Sequence, residues 1–380
     1  MSAGPAKEQQ VGLVRAIVAE RPFLAGAATT ILFTLYGNVW LADLANPWTT
    51  GLLFAWLFAV MLWSAFGVVR HADGLADLVG EPLGTLVLTL SVISIEVALI
   101  SAIMLTGDAV PELARDTMLA VVMIVLNGMV GVALLIGGFK HKEQAFNLEG
   151  ARIYLVVLVP LATMALILPR FTTSTPDPTL TPLQGILFAL MTIALYATFL
   201  AMQTRRHAGY FVQPDQGGLG DDGGHGHAEP RSVPFHAVFL LLTMLPIVLL
   251  SKKLALLVDF GIGTLGAPAA LGGVLVAILV LTPEGLAAFS AALANRLQRS
   301  VNICLGSALA TIGLTVPAVV TIGLLTGKSV VLGLDSAEIV LLVLTLLLST
   351  MTFGGVRTNM LQGAVHLIVF MVYVVLIFAP

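Results

Sequence analysis

The 380-residue chain has a single cysteine, Cys304, and only 10% of its residues are charged. One cysteine excludes an internal disulfide and leaves the redox compartment open. So little charge, against roughly a quarter of the residues in soluble domains, excludes an ordinary soluble fold. With 58% hydrophobic residues and a mean hydropathy of +1.00, the chain is expected to be an integral membrane protein throughout. The alternating segments of a membrane β-barrel, about 10 residues each, are missing. Apolar runs of ~18–24 residues take their place, the length a spanning helix needs. There is no Gly-Lys-Ser/Thr phosphate loop for ATP and no basic aromatic surface for nucleic acid. The first 22 residues are polar, with Lys7, Arg15 and Arg21, and precede the first apolar run, so no cleaved signal is expected. The net charge of −3 identifies no partner. Any transport must then be driven by a gradient rather than by a nucleotide site in this chain.

Apolar runs fall at 23–41, 51–69, 83–106, 117–138, 153–169, 183–202, 235–251, 268–293, 300–325, 336–351 and 361–379. They predict an all-α membrane protein of about eleven transmembrane helices. The segment "KKLALLVDFGIGTLGA" (252–267) reads as an interfacial helix or a re-entrant piece. With the N-terminus inside, thirteen of the 18 Lys and Arg fall in inside segments. Only Arg115, Arg170, Lys252, Lys253 and Lys328 fall outside, as the positive-inside rule expects. The N-terminus is therefore expected in the cytoplasm and the C-terminus outside.

The one long polar linker, within 205–234, sets the domain plan. Residues 1–46 form an N-terminal segment with an extra helix, 47–204 a first repeat of five helices, and 235–380 a second. Five is odd, so the halves must be inverted relative to one another. The linker motif "DDGGHGH" (221–227) reads as a flexible loop more readily than as a cation site.

Two runs carry an acid where none belongs. "LGTLVLTLSVISIEVALISAIML" (83–105) holds Glu96 and "LGGVLVAILVLTPEGLAAFSAALANRL" (271–297) holds Glu284, each twelve positions past its Leu-Gly glycine, Gly84 and Gly272. A charge at that depth costs several kcal/mol, and intramembrane acids mark function by default. A lone buried Glu can also be a neutral, hydrogen-bonded helix contact, but the symmetric partner argues against that. Inverted repeats put equivalent residues at similar depth, so Glu96 and Glu284 are predicted to meet near the midplane.

Thr85 and Thr89 lie within about 20° of Glu96 on its helix; their hydroxyls could ligate an ion or bond back to the helix. The matching stripe by Glu284, Gly273 and Ala277 with Ala288, Ala291 and Asn295, reads as packing. Pro283 cannot donate to the carbonyl of Leu279 and is predicted to break the helix, freeing carbonyl oxygens. Carboxylates, hydroxyls and loosened backbone describe a hard-cation site, and Ca²⁺ with ~6–8 oxygen ligands suits it. No Cys/His cluster in the spans invites a soft metal. Two facing carboxylates cannot both stay ionised in low dielectric, so each is protonated or neutralised by a cation. A site neutral with one Ca²⁺ or two H⁺ is an exchanger by construction. His366, in the last run, reads as packed and hydrogen-bonded rather than as a proton relay. Asp335 and Glu338 read as stabilising the start of the tenth helix.

The segments "GEPLGTLVLTLSVISIEVALISAIML" and "LTPEGLAAFSAALANRLQRSVNICLGSALATIGLTVP", with "STMTFGGVRTNMLQGAVHL" (349–367), resemble bacterial calcium/sodium:proton antiporters of the ChaA type. These belong to the Ca²⁺:H⁺ exchanger branch of the calcium/cation antiporter superfamily. The resemblance implies ten core spans in two inverted halves, an extra N-terminal span, an acidic cytoplasmic linker, and no cofactor. It implies Glu96 and Glu284 as cation and proton carriers, with Asn127, Asn302, Gly306 and Ser307 lining the site. Many of these exchangers have Gly-Asn directly before the first acid and Gly-Ser in the first half. Here the first repeat reads "SVISIE" and "VMIVLNG", so Na⁺ and K⁺ stand beside Ca²⁺ as cargo. The expected activity is export of cytoplasmic Ca²⁺ for entering protons by alternating access in a bacterial inner membrane. The expected partners are Ca²⁺, H⁺ and the lipid bilayer, with no nucleic acid; a homo-oligomer is left open. A Na⁺(K⁺)/H⁺ exchanger on the same site, a two-carboxylate intramembrane enzyme and a cation channel are the alternatives.

Overall fold

A computed structural model describes residues 20–80, 83–106, 111–214 and 232–379. The side chains of 83–86, 88 and 89, and most of the 205–234 linker including 221–227, lie outside that description. Among the described residues eleven helices of at least 15 residues follow one another. They are α1 Arg21–Leu35, α2 Pro47–Val79, α3 Leu83–Thr106, α4 Leu113–His141, α5 Leu148–Phe171 and α6 Pro182–Arg206. After the linker come α7 Val233–Leu265, α8 Ala270–Leu293, α9 Leu297–Thr326, α10 Ser336–Thr352 and α11 Met360–Phe378.

Local chemistry sets where several of them begin. Asn46 accepts from the amide of Trp48 at 3.0 Å ahead of Pro47, and Asn147 from that of Glu149 at 3.1 Å. Reciprocal capping boxes start α6 (Thr181 with Gln184), α10 (Asp335 with Glu338) and α11 (Asn359 with Gln362). The expected role of Asp335 and Glu338 is thus a specific cap.

Two expectations are overturned. Residues 252–265 form neither a separate interfacial helix nor a re-entrant piece but continue α7, a single helix of 33 residues. Lysine is a good helix former, so Lys252 and Lys253 do not stop it; Gly266, at φ 60°, does. Nor does Pro283 break α8, which runs unbroken across it. A single missing amide costs one backbone bond, and neighbours packed on both faces keep the helix whole.

The two halves pack as exchanged partners. Helix α3 lies on α9 and α8 on α4, while α6 lies on α9 and α11 on α4; the first helices of the repeats, α2 and α7, pack on each other. The extra helix α1 rests in the angle they form: a Cβ on Gly26 would meet Pro246 and Ser64 at 2.9 Å. Loop contacts agree with an odd-even alternation of direction. At one end, β1 (Glu143–Ala145) after α4 pairs antiparallel with β2 (Arg357–Asn359) before α11. At the other end, Asp335 before α10 lies 3.8 Å from both Arg115 at the start of α4 and Arg170 at the end of α5.

Buried apolar residues form two large clusters. One draws on α4, α5, α6 and α9 to α11; the other draws on α1, α2 and α7. Helices α3 and α8 contribute to both, through Ile93 and Ala277 on one side and Ile95 and Leu279 on the other. The two acids are carried by the helices at that seam.

Candidate functional site

Glu96, on α3, is completely buried. Thr311 Oγ1 donates to its Oε2 at 2.7 Å, and Thr315 Oγ1 to its Oε1 at 3.4 Å. Glu284, on α8, is partly exposed, and Ser307 Oγ donates to its Oε2 at 2.6 Å. The two carboxyl groups are close enough to interact electrostatically. All three hydroxyls belong to α9, at positions i, i+4 and i+8. Each step of four residues advances about 6 Å and rotates about 40°, so they form one slanted stripe serving acids from opposite halves.

What sets this stripe apart is where its hydroxyls point. Helical Ser and Thr usually bond back to a carbonyl one turn earlier, as Ser91, Ser94, Thr117, Thr282 and Ser290 do here at 2.6–2.8 Å. Ser307, Thr311 and Thr315 donate to carboxylates instead. A buried acid costs least when its oxygens are hydrogen-bonded. Among the described residues no third His, Cys, Asp or Glu joins the pair into a cluster of three. The polar complement of the pair in the described structure is therefore neutral hydroxyl oxygen, suited to a hard cation or to protons.

The arrangement is not symmetric. Span four, which by the inverted plan should serve Glu284 as α9 serves Glu96, brings apolar surface: a Cβ on Gly285 would lie 3.7 Å from Met129 Sδ. The hydroxyl donors to both acids come from the second half.

The other residues singled out in the sequence fall elsewhere. Thr85 and Thr89 have side chains outside the described residues. Asn302 does not face either acid; its Nδ2 donates to the carbonyl of Phe211 at 2.7 Å and its Oδ1 accepts from Gln298 at 2.8 Å, tying the 208–211 turn to α9. Gly306 backs onto the ring of Tyr154, 3.6 Å from where a Cβ would stand. Asn127 is bonded to Thr345 and His366 rather than to a carboxylate. Gly273 meets the backbone of Asp116 and Thr117 so closely that a Cβ would stand 2.8 Å from the Thr117 amide, and Ala277 and Ala288 are fully buried, as packing residues should be. Thr311 and Thr315 were missed in the sequence. The signal that could have found them is their fourfold spacing from Ser307 in "GSALATIGLT".

Comparison with known proteins bears on what this site belongs to. The family described as sodium/calcium exchanger protein matches residues 49–205 and 235–379, one stretch on each side of the linker. A relative from Escherichia coli (strain K12), named sodium-potassium/proton antiporter ChaA, is 43% identical over 321 residues, covering 84% of this chain and 87% of the relative. Among solved structures, native YfkE superposes with a TM-score of 0.72 at 19% identity, covering 94% of this chain and 100% of that one. The H⁺/Ca²⁺ exchanger CAX superposes with a TM-score of 0.66 at 15% identity, covering 93% and 87%. At such identities the two structures bear on the fold alone.

Proposed function

The chain belongs to the sodium/calcium exchanger protein family, and on that premise we propose that Glu96 and Glu284 are the carriers of a cation/proton antiporter. It is a transporter, not an enzyme, and a multi-pass membrane protein. The observation that carries the reading is the single hydroxyl stripe of α9 holding acids from both halves. Four carboxylate oxygens and three hydroxyls match the oxygen count that Ca²⁺ takes, ~6–8. Emptied and ionised, the pair would carry two negative charges in low dielectric, too costly to change sides. Neutralised by a cation or by protons, it can cross, so each passage of cation in one direction obliges protons in the other.

The cargo in this reading is cytoplasmic Ca²⁺, exported across a bacterial inner membrane for entering H⁺, with the N-terminus in the cytoplasm. The seam position of α3 and α8 supports access that alternates as one apolar cluster rocks or slides against the other. A second reading, Na⁺ or K⁺ for H⁺ on the same site, is supported by the name of the Escherichia coli relative. Purified protein in liposomes with an imposed pH gradient separates the two. Collapse of the gradient on adding Ca²⁺ supports the first reading, and collapse with Na⁺ or K⁺ alone selects the second. No cation-dependent proton flux at all would sink both.

A further inference from the structure

A second buried polar group joins α4, α10 and α11, away from the acids. His366 is fully buried; its Nδ1 is 3.1 Å from Asn127 Oδ1 and its Nε2 3.0 Å from Thr352 Oγ1. Asn127 Nδ2 donates to Thr345 Oγ1 at 2.8 Å. An amide oxygen can only accept, so Nδ1 carries the imidazole proton and the Thr352 hydroxyl donates to Nε2. A neutral ring is thereby satisfied at both nitrogens. All four residues are buried, at 2% exposure or less, and a buried network whose members satisfy one another fixes one arrangement of the helices that carry it.

Asn127 lies inside a π-helical stretch of α4, Ile124–Met129. Such a stretch holds a residue more per turn than the α-helix around it and recurs at functional sites. Side chains that grip it from outside decide its register. Here the grip is from α10 and α11, reinforced where Gly131 and Gly363 bring α4 and α11 together: a Cβ on Gly363 would stand 2.7 Å from the carbonyl oxygen of Gly131. The far end of the stretch, Met129, rests on Gly285, the neighbour of Glu284.

We infer that His366 is a positioning residue of the cation site. By holding Asn127 it fixes the π-stretch, and through Met129 on Gly285 it sets the Glu284 half of the carrier pair. The inference rests on the reading of Glu284 as a carrier. It takes His366 to exchange no proton during transport, since the ring is satisfied in its neutral form and bonds neither carboxyl.

The test uses the full chain in liposomes, with Ca²⁺, Na⁺ and K⁺ each titrated against a pH-gradient dye at several pH values. His366→Leu is expected to raise the cation half-saturation about five- to tenfold, through loss of the buried hydrogen bond that holds Asn127, while the maximal rate stays within about twofold. The factor should be the same at every pH. His366→Gln, which can still donate and accept, should restore most of the affinity, and Thr352→Val should give a shift of the same sign. An unmoved half-saturation in His366→Leu overturns the inference. So does a loss that His366→Gln does not restore, or a factor that changes with pH, which would make His366 a proton relay. Where His366→Leu fails to elute as a single species in detergent, Thr352→Val decides by the same criterion. Exchange by the wild type must be seen first: its absence sinks the functional reading, whereas wild-type exchange with unmoved variants sinks this inference alone.

Discussion

Glu96 and Glu284 are held by successive turns of one helix: Thr311 donates to the first at 2.7 Å and Ser307 to the second at 2.6 Å. Acids from opposite halves of the chain thus share α9 as a common frame, and a shift of α9 must change the surroundings of both. The proposed carrier role treats the pair as one site held by two hydroxyls of α9.

Removing either carboxylate should break exchange. Glu96→Gln and Glu284→Gln keep the side-chain shape but halve the neutralisable charge. Each is expected to lower cation-induced collapse of a pH gradient in everted vesicles by about a hundredfold or more, since a charge-bearing ligand is worth several kcal/mol in low dielectric. Gradient collapse at the wild-type cation concentration in either variant would reject the site.

The hydroxyl stripe should rank by geometry. Thr311→Val removes a 2.7 Å bond and Thr315→Val a 3.4 Å one. The first should raise the cation half-saturation by about tenfold, and the second by clearly less, because hydrogen bonds weaken with length. Equal effects, or the reverse order, would show that the stripe does not ligate as drawn.

The proposed carrier role has protons and cation compete for the same oxygens, which fixes the sign of the pH dependence it predicts. Lower pH protonates the pair and weakens cation binding; higher pH strengthens it. A divalent cargo displacing two protons should change half-saturation up to about a hundredfold per pH unit, and a monovalent cargo displacing one about tenfold. The slope of log half-saturation against pH therefore counts the protons displaced, and a flat line would mean that protons and cation use different sites.

Helix packing can be tested apart from transport. A Cβ on Gly363 would stand 2.5 Å from the amide nitrogen of Leu135, whereas nothing lies within 4 Å of one on Gly51. Gly363→Ala should destabilise the protein by about 2 kcal/mol through overpacking, visible as a lower melting temperature in detergent. Gly51→Ala should melt no lower than wild type.

The two ends of α5 report orientation. A Cys304→Ala background removes the one native thiol, which is buried; Glu149 is exposed in the first turn of α5 and Asp177 is exposed beyond its other end. In intact cells an impermeant maleimide should label Asp177→Cys and spare Glu149→Cys. The opposite pattern would invert the topology.

Much of this molecule is legible in the chain. Span count follows from runs of apolar residues, because each helix must meet the thickness of the bilayer by itself. The pairing of Glu96 with Glu284 follows from equal offsets in two halves of odd span number. The cap of Asp335 and Glu338 is also local: both side chains bond the backbone of their own helix start. Pro283 and the 252–265 segment are not legible in this way. Local signals there suggested a break, but helix continuity depended on what packed around them.

The sequence by itself determined the lipid-spanning architecture, the inverted halves and the two acids, since those rest on length, hydropathy and parity. Only the tertiary structure decided which oxygens accompany the acids. Ser307 is singled out by the resemblance alone, and Thr311 and Thr315 look like any helical hydroxyls until α3 and α8 are laid against α9; Asn127, Asn302 and Gly306, singled out in the same way, have partners other than the acids. A hydroxyl on a helix has two outlets, its own carbonyl one turn back or a neighbour across the interface, and only the packing of another helix selects between them.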